Sequence, residues 1–435
     1  MFRRVMACPP PLAPPLAPLP HPGFSVRPRH IIGCRFLSTA HRSTADGHLA
    51  DGRLKALVNA TLHTGDSVLE GSALLIDGAA ILAVTAADAI PPGAEVTDLG
   101  GGILAPGFID LQVNGGGGAL FNDTPDVPTL RRIAEAHRRF GTTGMLPTVI
   151  TDSPDKRASA VAAVRAALAE GVPGVLGVHL EGPHIAPERR GVHDARFIAA
   201  PDADDLALLG GLTGLPALVT LAPEAVPPEQ IRRLAAAGLR IAAGHSAATW
   251  AQAKAGFAAG ITGATHLFNA MSPLGSREPG MVGAALEDDS VWCGIIVDGH
   301  HVHDATVRLA WKAKAPGRLF LVTDAMPPVG VSQAGSSGFR LYGQDIRVED
   351  GRCVTADGTL AGSALDMASA VRNAVERAGI PLDEALRMAS AYPADFMGMT
   401  GRRGRIRPGL AADLVHLDER LTVRATWIGG KMAVS

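Results

Sequence analysis

Eight short apolar runs mark the middle of this chain: GFIDLQV, TGMLPTV, VLGVHLE, ALVTLAP, LRIAAGH, GATHLF, CGIIVDG and RLFLVTD. Between most of them lie alanine-rich stretches with helical character, such as TLRRIAEAHRRF and SPDKRASAVAAVRAALAEG. Runs this short, bounded by polar residues, read as strands buried on both faces. Buried strands alternating with helices make a parallel sheet. Eight such units over about 220 to 250 residues suit a closed (β/α)₈ barrel, so the fold class is α/β of the TIM-barrel type. A barrel of this kind carries its chemistry at the C-terminal ends of its strands. In this sequence those ends hold Glu181, His245, His266, Asp298 and Asp324.

The flanks differ from the middle. Residues 54–104 and 404–435 both read as short strands: LKALVNATLH and ALLIDGAAILAVTA on one side, DLVHLD and LTVRATWIGG on the other. Two strand-rich ends around a long α/β middle predict a small β-sandwich built from both chain ends. The expected division is 46–105 and 401–435 for the sandwich and 106–400 for the barrel. Residues 331–358, with FRLYG, IRVEDG and RCVTADG between glycine turns, predict a hairpin inserted late in the barrel. Residues 1–45 hold no acid, many arginines and a dense proline run from Pro9 to Pro22. Such a segment resembles a transit peptide in composition, but the prolines would break a targeting helix. It is taken as an extension outside the fold.

Composition narrows the function. The formal net charge is -2 and aromatic residues are 4%. The first gives no electrostatic footprint for nucleic acid, and the second removes the stacking platforms of single-strand binders. No apolar run reaches the roughly 18 to 20 residues that span a bilayer. The four cysteines, Cys8, Cys34, Cys293 and Cys353, form no CxxC pair, which argues against a disulfide framework or zinc ribbon and for a reducing, cytoplasmic compartment.

Glu181 closes VHLE, His245 closes LRIAAGH and His266 closes GATH. Each would face the barrel mouth. Two imidazoles and a carboxylate bind Zn²⁺ and leave a position for water, and the same set also suits Fe²⁺. Asp324, at the end of the eighth run, is placed to take a proton from water activated by the ion and return it to a leaving nitrogen. Capping of a following helix is the other role for such an aspartate, but Pro327 and Pro328 come too soon after it.

These residues lie in longer stretches: PGFIDLQVNGGGG, HLEGPHIAPERRGVHD, GHS, THLFNAMSPLGSREPGMVGAAL, VDGHHV, LVTDAM, LAGSALDM and GRIRPGLAADLV. In them the chain resembles the N-acetylglucosamine-6-phosphate deacetylases of the amidohydrolase superfamily. The resemblance spans nearly all of 54–435, and HLEGPH, THLFNAM and SREPG are its specific parts. It implies a barrel with a β-sandwich from both ends, and hydrolysis of a sugar acetamide to acetate and glucosamine 6-phosphate. It places the metal ligands on Glu181, His245 and His266, and the acid/base on Asp324. Many amidohydrolases carry HxH after the PGFID strand and bind a second metal there. The matching positions here are Gln112 and Asn114. Amides are poor ligands beside imidazole, so one divalent ion per subunit is expected: Zn²⁺, with Fe²⁺ or Co²⁺ as alternatives. The two amides are expected to hold ordered water.

The resemblance also implies the substrate contacts. Arg277, whose planar fork suits phosphate, would reach the neighbouring site of a homodimer, and His301 would be the other phosphate contact. Val192 and His193 would touch the sugar, and Asn269 and Ala270 would lie near the phosphate. Leu360, Ala361 and Gly362 would form a backbone wall over the acetyl end. His300 has no assigned role, and His303 is expected at the surface. The glycines after Asn114 lack the Lys and Ser/Thr of a phosphate loop and are expected to form a flexible turn. The partner implied is a small sugar phosphate, with no nucleic acid and no membrane. The galacto epimer, an unphosphorylated sugar and a non-enzymatic scaffold remain the rivals.

Overall fold

The computed structural model describes residues 54–331 and 338–434. The N-terminal extension, Cys8 and Cys34 fall outside the described residues. All eight apolar runs become strands of one sheet: Phe108–Val113, Thr142–Ile150, Val178–Glu181, Ala217–Leu221, Arg240–Ala243, Gly263–Ala264, Trp292–Ile295 and Leu319–Leu321. Each pairs in parallel with the next in chain order. The first strand meets the far side of the eighth at a parallel bridge between Val113 and Ala325. There the amides of Asn114 and Gly115 both donate to the Ala325 carbonyl at 2.9 Å. A helix follows each strand, and local chemistry sets where several begin. Asp126, Ser153 and Thr249 accept backbone N–H bonds at the N-termini of the helices Val127–Arg138, Pro154–Ala169 and Trp250–Ala259.

The sixth strand is shorter than its sequence run. Only Gly263–Ala264 pairs, and the chain leaves the sheet at His266, whose φ is +33°. Gly263 lies against the Phe396 ring, where a Cβ would come within 2.7 Å of the ring edge.

The two chain ends interleave as expected. The C-terminal strand Leu414–Leu417 pairs antiparallel with Ile103–Pro106, which pairs with Thr61–His63. This six-stranded sheet and a four-stranded sheet built from residues 55–98 enclose a second core of Leu57, Leu62, Leu74, Ile76, Leu104, Leu414 and Trp427.

Two expectations change. The late insertion is a four-stranded antiparallel sheet, not a hairpin. LAGS forms its fourth strand, Leu360–Ser363. The Ser363 amide donates to the Asp324 carbonyl, and the Met326 amide donates to the Ser363 carbonyl, both at 2.9 Å. The insertion is therefore stitched to the eighth strand's exit. The glycine run does turn, at Gly117 and Gly118 with φ +60° and +78°, but its first half is strand. Gly115–Gly116 pairs with Ala119–Leu120, and Gly115 and Gly116 are buried. A Cβ on Gly115 would lie 2.9 Å from the Pro327 nitrogen, and one on Gly116 would lie 2.9 Å from the His137 ring. Gly115 and Gly116 serve close packing.

Leu104 is fully buried where the two chain ends meet. Leu104→Ala is expected to lower the unfolding free energy by about 2–5 kcal/mol. A urea midpoint equal to that of the wild type would show that the shared sheet contributes little to stability.

Candidate metal centre

Glu181, His245 and His266 meet at the barrel mouth. His266 Nε2 lies 2.9 Å from Glu181 Oε1. His245 Nε2 lies 3.2 Å from the same oxygen and 3.2 Å from His266 Nε2. All three side chains are buried. The His245 tautomer follows from its other nitrogen, which is 2.8 Å from the Arg189 carbonyl. A carbonyl only accepts, so Nδ1 carries the proton and the Nε2 of a neutral ring is bare. That lone pair faces a carboxylate oxygen and a second imidazole nitrogen. A cation between the three satisfies them together. Tetrahedral ligands about 2.0–2.2 Å from an ion are separated by about 3.3–3.6 Å, close to the spacings here, so the residues fit a small divalent metal.

A second grouping exists. One donor atom each of Glu181, His193 and His245 lie within 4.8 Å of one another. The donor atoms of the set with His266 lie within 3.2 Å of one another, and the Nδ1 of His193 is already held by Thr151 Oγ1 at 2.7 Å.

Three of the four central residues sit in left-handed backbone conformation: His245 at φ +48°, His266 at +33° and Asp324 at +53°. Such conformations cost a non-glycine residue about 1–3 kcal/mol and gather at functional sites. Here the turn swings each side chain off its strand tip toward the barrel axis.

Asp324 stands beside these three residues. Asn114 Nδ2 donates to its Oδ1 at 2.6 Å. Gln112 Nε2 donates to the same oxygen at 3.1 Å, and to both oxygens of Glu181 at 3.1 Å. Gln112 was expected to hold water. Instead its two N–H groups bridge the carboxylates directly, because the first strand places it between them. Burial, with the charge of Glu181 next, raises Asp324 to about 6. Burial also opposes ionisation of Glu181, but hydrogen bonds and charge from His245 and His266 outweigh it and hold that carboxyl well below its ordinary range. Beneath the site, burial lowers His179 to about 4, and its ring is tied to Thr220 and Thr148. Asp110, raised to about 7 by burial, accepts from the Thr323 hydroxyl.

A cavity of about 480 Å³ opens above these groups, lined in part by Val192, His193, Asn269, Ala270, His301, Leu360 and Gly362. His301 is positioned by Asp298, which lies 2.6 Å from its Nδ1. The Ala361 side chain does not line the cavity. Strand alternation turns it into an apolar cluster with Leu120, Ile150 and Met326. Arg277 lies on an exposed loop and does not line the cavity of its own chain. His300 is exposed, and His303 caps the helix Asp304–Ala313. A larger cleft of about 850 Å³ runs between residues 98–102 and 416–425. It shares no lining residue with the cavity above the cluster, and Arg424 in it pairs with Asp418 at 2.8 Å.

The sequence reading missed Thr151, His179 and Asp110. A search for ionisable groups at strand ends passes over a threonine one residue beyond a strand. His179 and Asp110 lie inside apolar runs, where alternation would have marked them as pointing into the barrel.

A parallel barrel with imidazoles and carboxylates converging at its C-terminal mouth defines a metal-assisted hydrolase of the barrel type. A model of the Amidohydrolase family matches residues 103–433, and one of the NagA composite domain matches residues 55–104. The chain belongs to the amidohydrolase family. It is similar to the N-acetylgalactosamine-6-phosphate deacetylase of Shewanella sp., 46% identical over 332 residues, covering 76% of this chain and 83% of the relative. It is also similar to the N-acetylglucosamine-6-phosphate deacetylase of Haemophilus influenzae, 39% identical over 379 residues, covering 86% and 98%. Among solved structures, the N-acetylglucosamine-6-phosphate deacetylase of Pasteurella multocida superposes with a TM-score of 0.85 at 38% identity, covering 88% of this chain and all of that one. A variant from Mycobacterium smegmatis, solved with N-acetyl-D-glucosamine-6-phosphate, superposes with a TM-score of 0.80 at 34% identity, covering 88% and 100%.

Protein stripped with a chelator and reloaded is expected to bind about one divalent ion per chain, measured by elemental analysis, and to melt at a higher temperature with the ion than without it. Two tightly held ions per chain would contradict the reading of Gln112 and Asn114.

Proposed function

We propose that this chain hydrolyses the acetamide of N-acetyl-D-glucosamine 6-phosphate to D-glucosamine 6-phosphate and acetate, in amino-sugar breakdown or recycling. The observation that carries the reading is the meeting of Glu181, His245 and His266 next to Asp324 in one cavity. Several similar proteins bear that activity in their names, which supports the substrate class. Glu181, His245 and His266 would hold one divalent ion, which supplies Lewis-acid polarisation of the carbonyl and lowers the pKa of water. Zn²⁺ suits this donor set, and Fe²⁺ or Co²⁺ are compatible with it.

The chain's own groups do the rest. Asp324 takes the proton from the attacking water and delivers it to the departing nitrogen. Asn114 and Gln112 both bond its Oδ1, which leaves Oδ2 for that transfer. His193, whose ring centroid lies 4.2 Å from that of His245, donates to the carbonyl oxygen. His301 and a neighbouring subunit's copy of Arg277 take the phosphate, within a homodimer. Val192 meets the sugar, Asn269 and Ala270 lie near the phosphate, and the backbone of Leu360, Ala361 and Gly362 walls the acetyl end. The buried free thiols of Cys293 and Cys353 support a reducing, cytoplasmic setting. We place the domain boundaries at 105/106 and 400/401.

One observation favours a second reading of the sugar: the 46% identical relative is named for the galacto epimer. Initial rates of acetate release from the two phosphorylated epimers decide between them.

Release of acetate from the sugar phosphate by metal-loaded protein is the primary test, and no release from either epimer would reject the function. Asp324→Asn should keep fold and metal but lower turnover by about 10²- to 10⁴-fold. Near-normal turnover would remove Asp324 from its role. Equal kcat/KM for phosphorylated and unphosphorylated sugar would remove Arg277 and His301 from substrate recognition.

A further inference from the structure

Thr151 lies one residue beyond the second barrel strand and is fully buried. Its Oγ1 is 2.7 Å from His193 Nδ1. Among the described residues this is the hydroxyl's one hydrogen-bond partner. A buried hydroxyl proton needs an acceptor, and Nδ1 is the acceptor in reach. Thr151 therefore donates. A neutral His193 ring then carries its own proton on Nε2, because a ring nitrogen that accepts cannot also hold the hydrogen. We infer that Thr151 is a positioning residue that holds His193 in the Nε2–H tautomer, so that the ring offers the substrate carbonyl a donor rather than a lone pair. The opposite tautomer would present a bare nitrogen beside Glu181 and His245, which makes His193 a competing metal ligand. The hydroxyl thus separates two possible roles of one ring.

Two other elements hold Thr151 in place. Gly182, directly after the ligand Glu181, has φ +81°, and a Cβ there would overlap Thr151 Oγ1. Only glycine allows both that backbone conformation and that approach. From the inserted sheet, the Tyr342 hydroxyl donates to the Thr151 carbonyl. The glycine of HLEGPH and the late insertion therefore converge on a residue that has no direct part in the chemistry.

The inference rests on the proposed deacetylation for the role of His193, and its test separates the two. Thr151→Val keeps the shape and removes the hydroxyl; Thr151→Ser restores it. In metal-loaded protein, Thr151→Val is expected to lower kcat at least about 10-fold with KM changed less than about 3-fold, as for loss of an oxyanion donor. Bound metal should stay at the wild-type level, and Thr151→Ser should recover most of the lost turnover. Should the valine variant not fold, Thr151→Ala against Thr151→Ser makes the same comparison. Independent of turnover, ¹⁵N spectra of the histidine rings, assigned by the signals lost in His193→Asn, should show a bare Nδ1 and a protonated Nε2 in the wild type. Wild-type turnover in Thr151→Val, no recovery in Thr151→Ser, loss of metal from Thr151→Val, or a protonated Nδ1 would each overturn the inference. If the wild type releases no acetate, the function fails while the ring spectra still decide the tautomer.

Discussion

Two imidazole nitrogens and one carboxylate oxygen, none more than 3.2 Å from the next, repel one another unless a proton or a cation sits among them. The barrel creates that meeting, and the rest of the site is arranged around it. Parallel strands buried on both faces leave few polar groups inside, so an ionisable side chain at a strand tip points to the one open end. The left-handed turns at His245, His266 and Asp324 complete the convergence. Their conformational cost is carried by a core in which most strand residues are fully buried.

The second constraint is charge. Glu181 and Asp324 are both carboxyls in a buried site: the charge of Glu181 adds to burial in raising Asp324, while His245 and His266 hold Glu181 low. Gln112 eases this by donating to both, a task that histidine at the same place would exchange for metal binding. The amide thus joins the two carboxyls and, with Asn114, occupies Oδ1 of Asp324. Close packing makes the arrangement possible. A Cβ on Gly362 would lie 2.6 Å from Met326 Cγ and 2.9 Å from the Asp324 carbonyl, and the residue sits at φ +69°. The inserted sheet can therefore press its last strand against the Asp324 turn only through glycine.

Much of this was legible before the structure. The runs ending in Glu181, His245, His266 and Asp324 are apolar up to their last residues, and that contrast marks both a strand and its functional tip. Gln112 and Asn114 were legible as the amides that replace a second ligand pair, but not as the bridge between carboxylates. Such a bridge joins residues 69 and 212 positions apart, and nothing local signals it. Thr151 was invisible because a lone hydroxyl after a strand is commonplace. The glycine run was half legible: its turn at Gly117 and Gly118 could be read, but the close packing of Gly115 and Gly116 depends on neighbours that the sequence does not place.

The sequence by itself determined the alternation of strand and helix, and with it a parallel barrel, the chemical types at its mouth and the pairing of its two ends. Periodicity and burial act over a few residues, so they can be read locally. Tertiary structure alone decided which tips meet, which amide joins two acids and which hydroxyl bonds the His193 ring. Those contacts depend on strand register and backbone turns that bring distant residues within hydrogen-bond range, and such distances are set by the closed barrel as a whole.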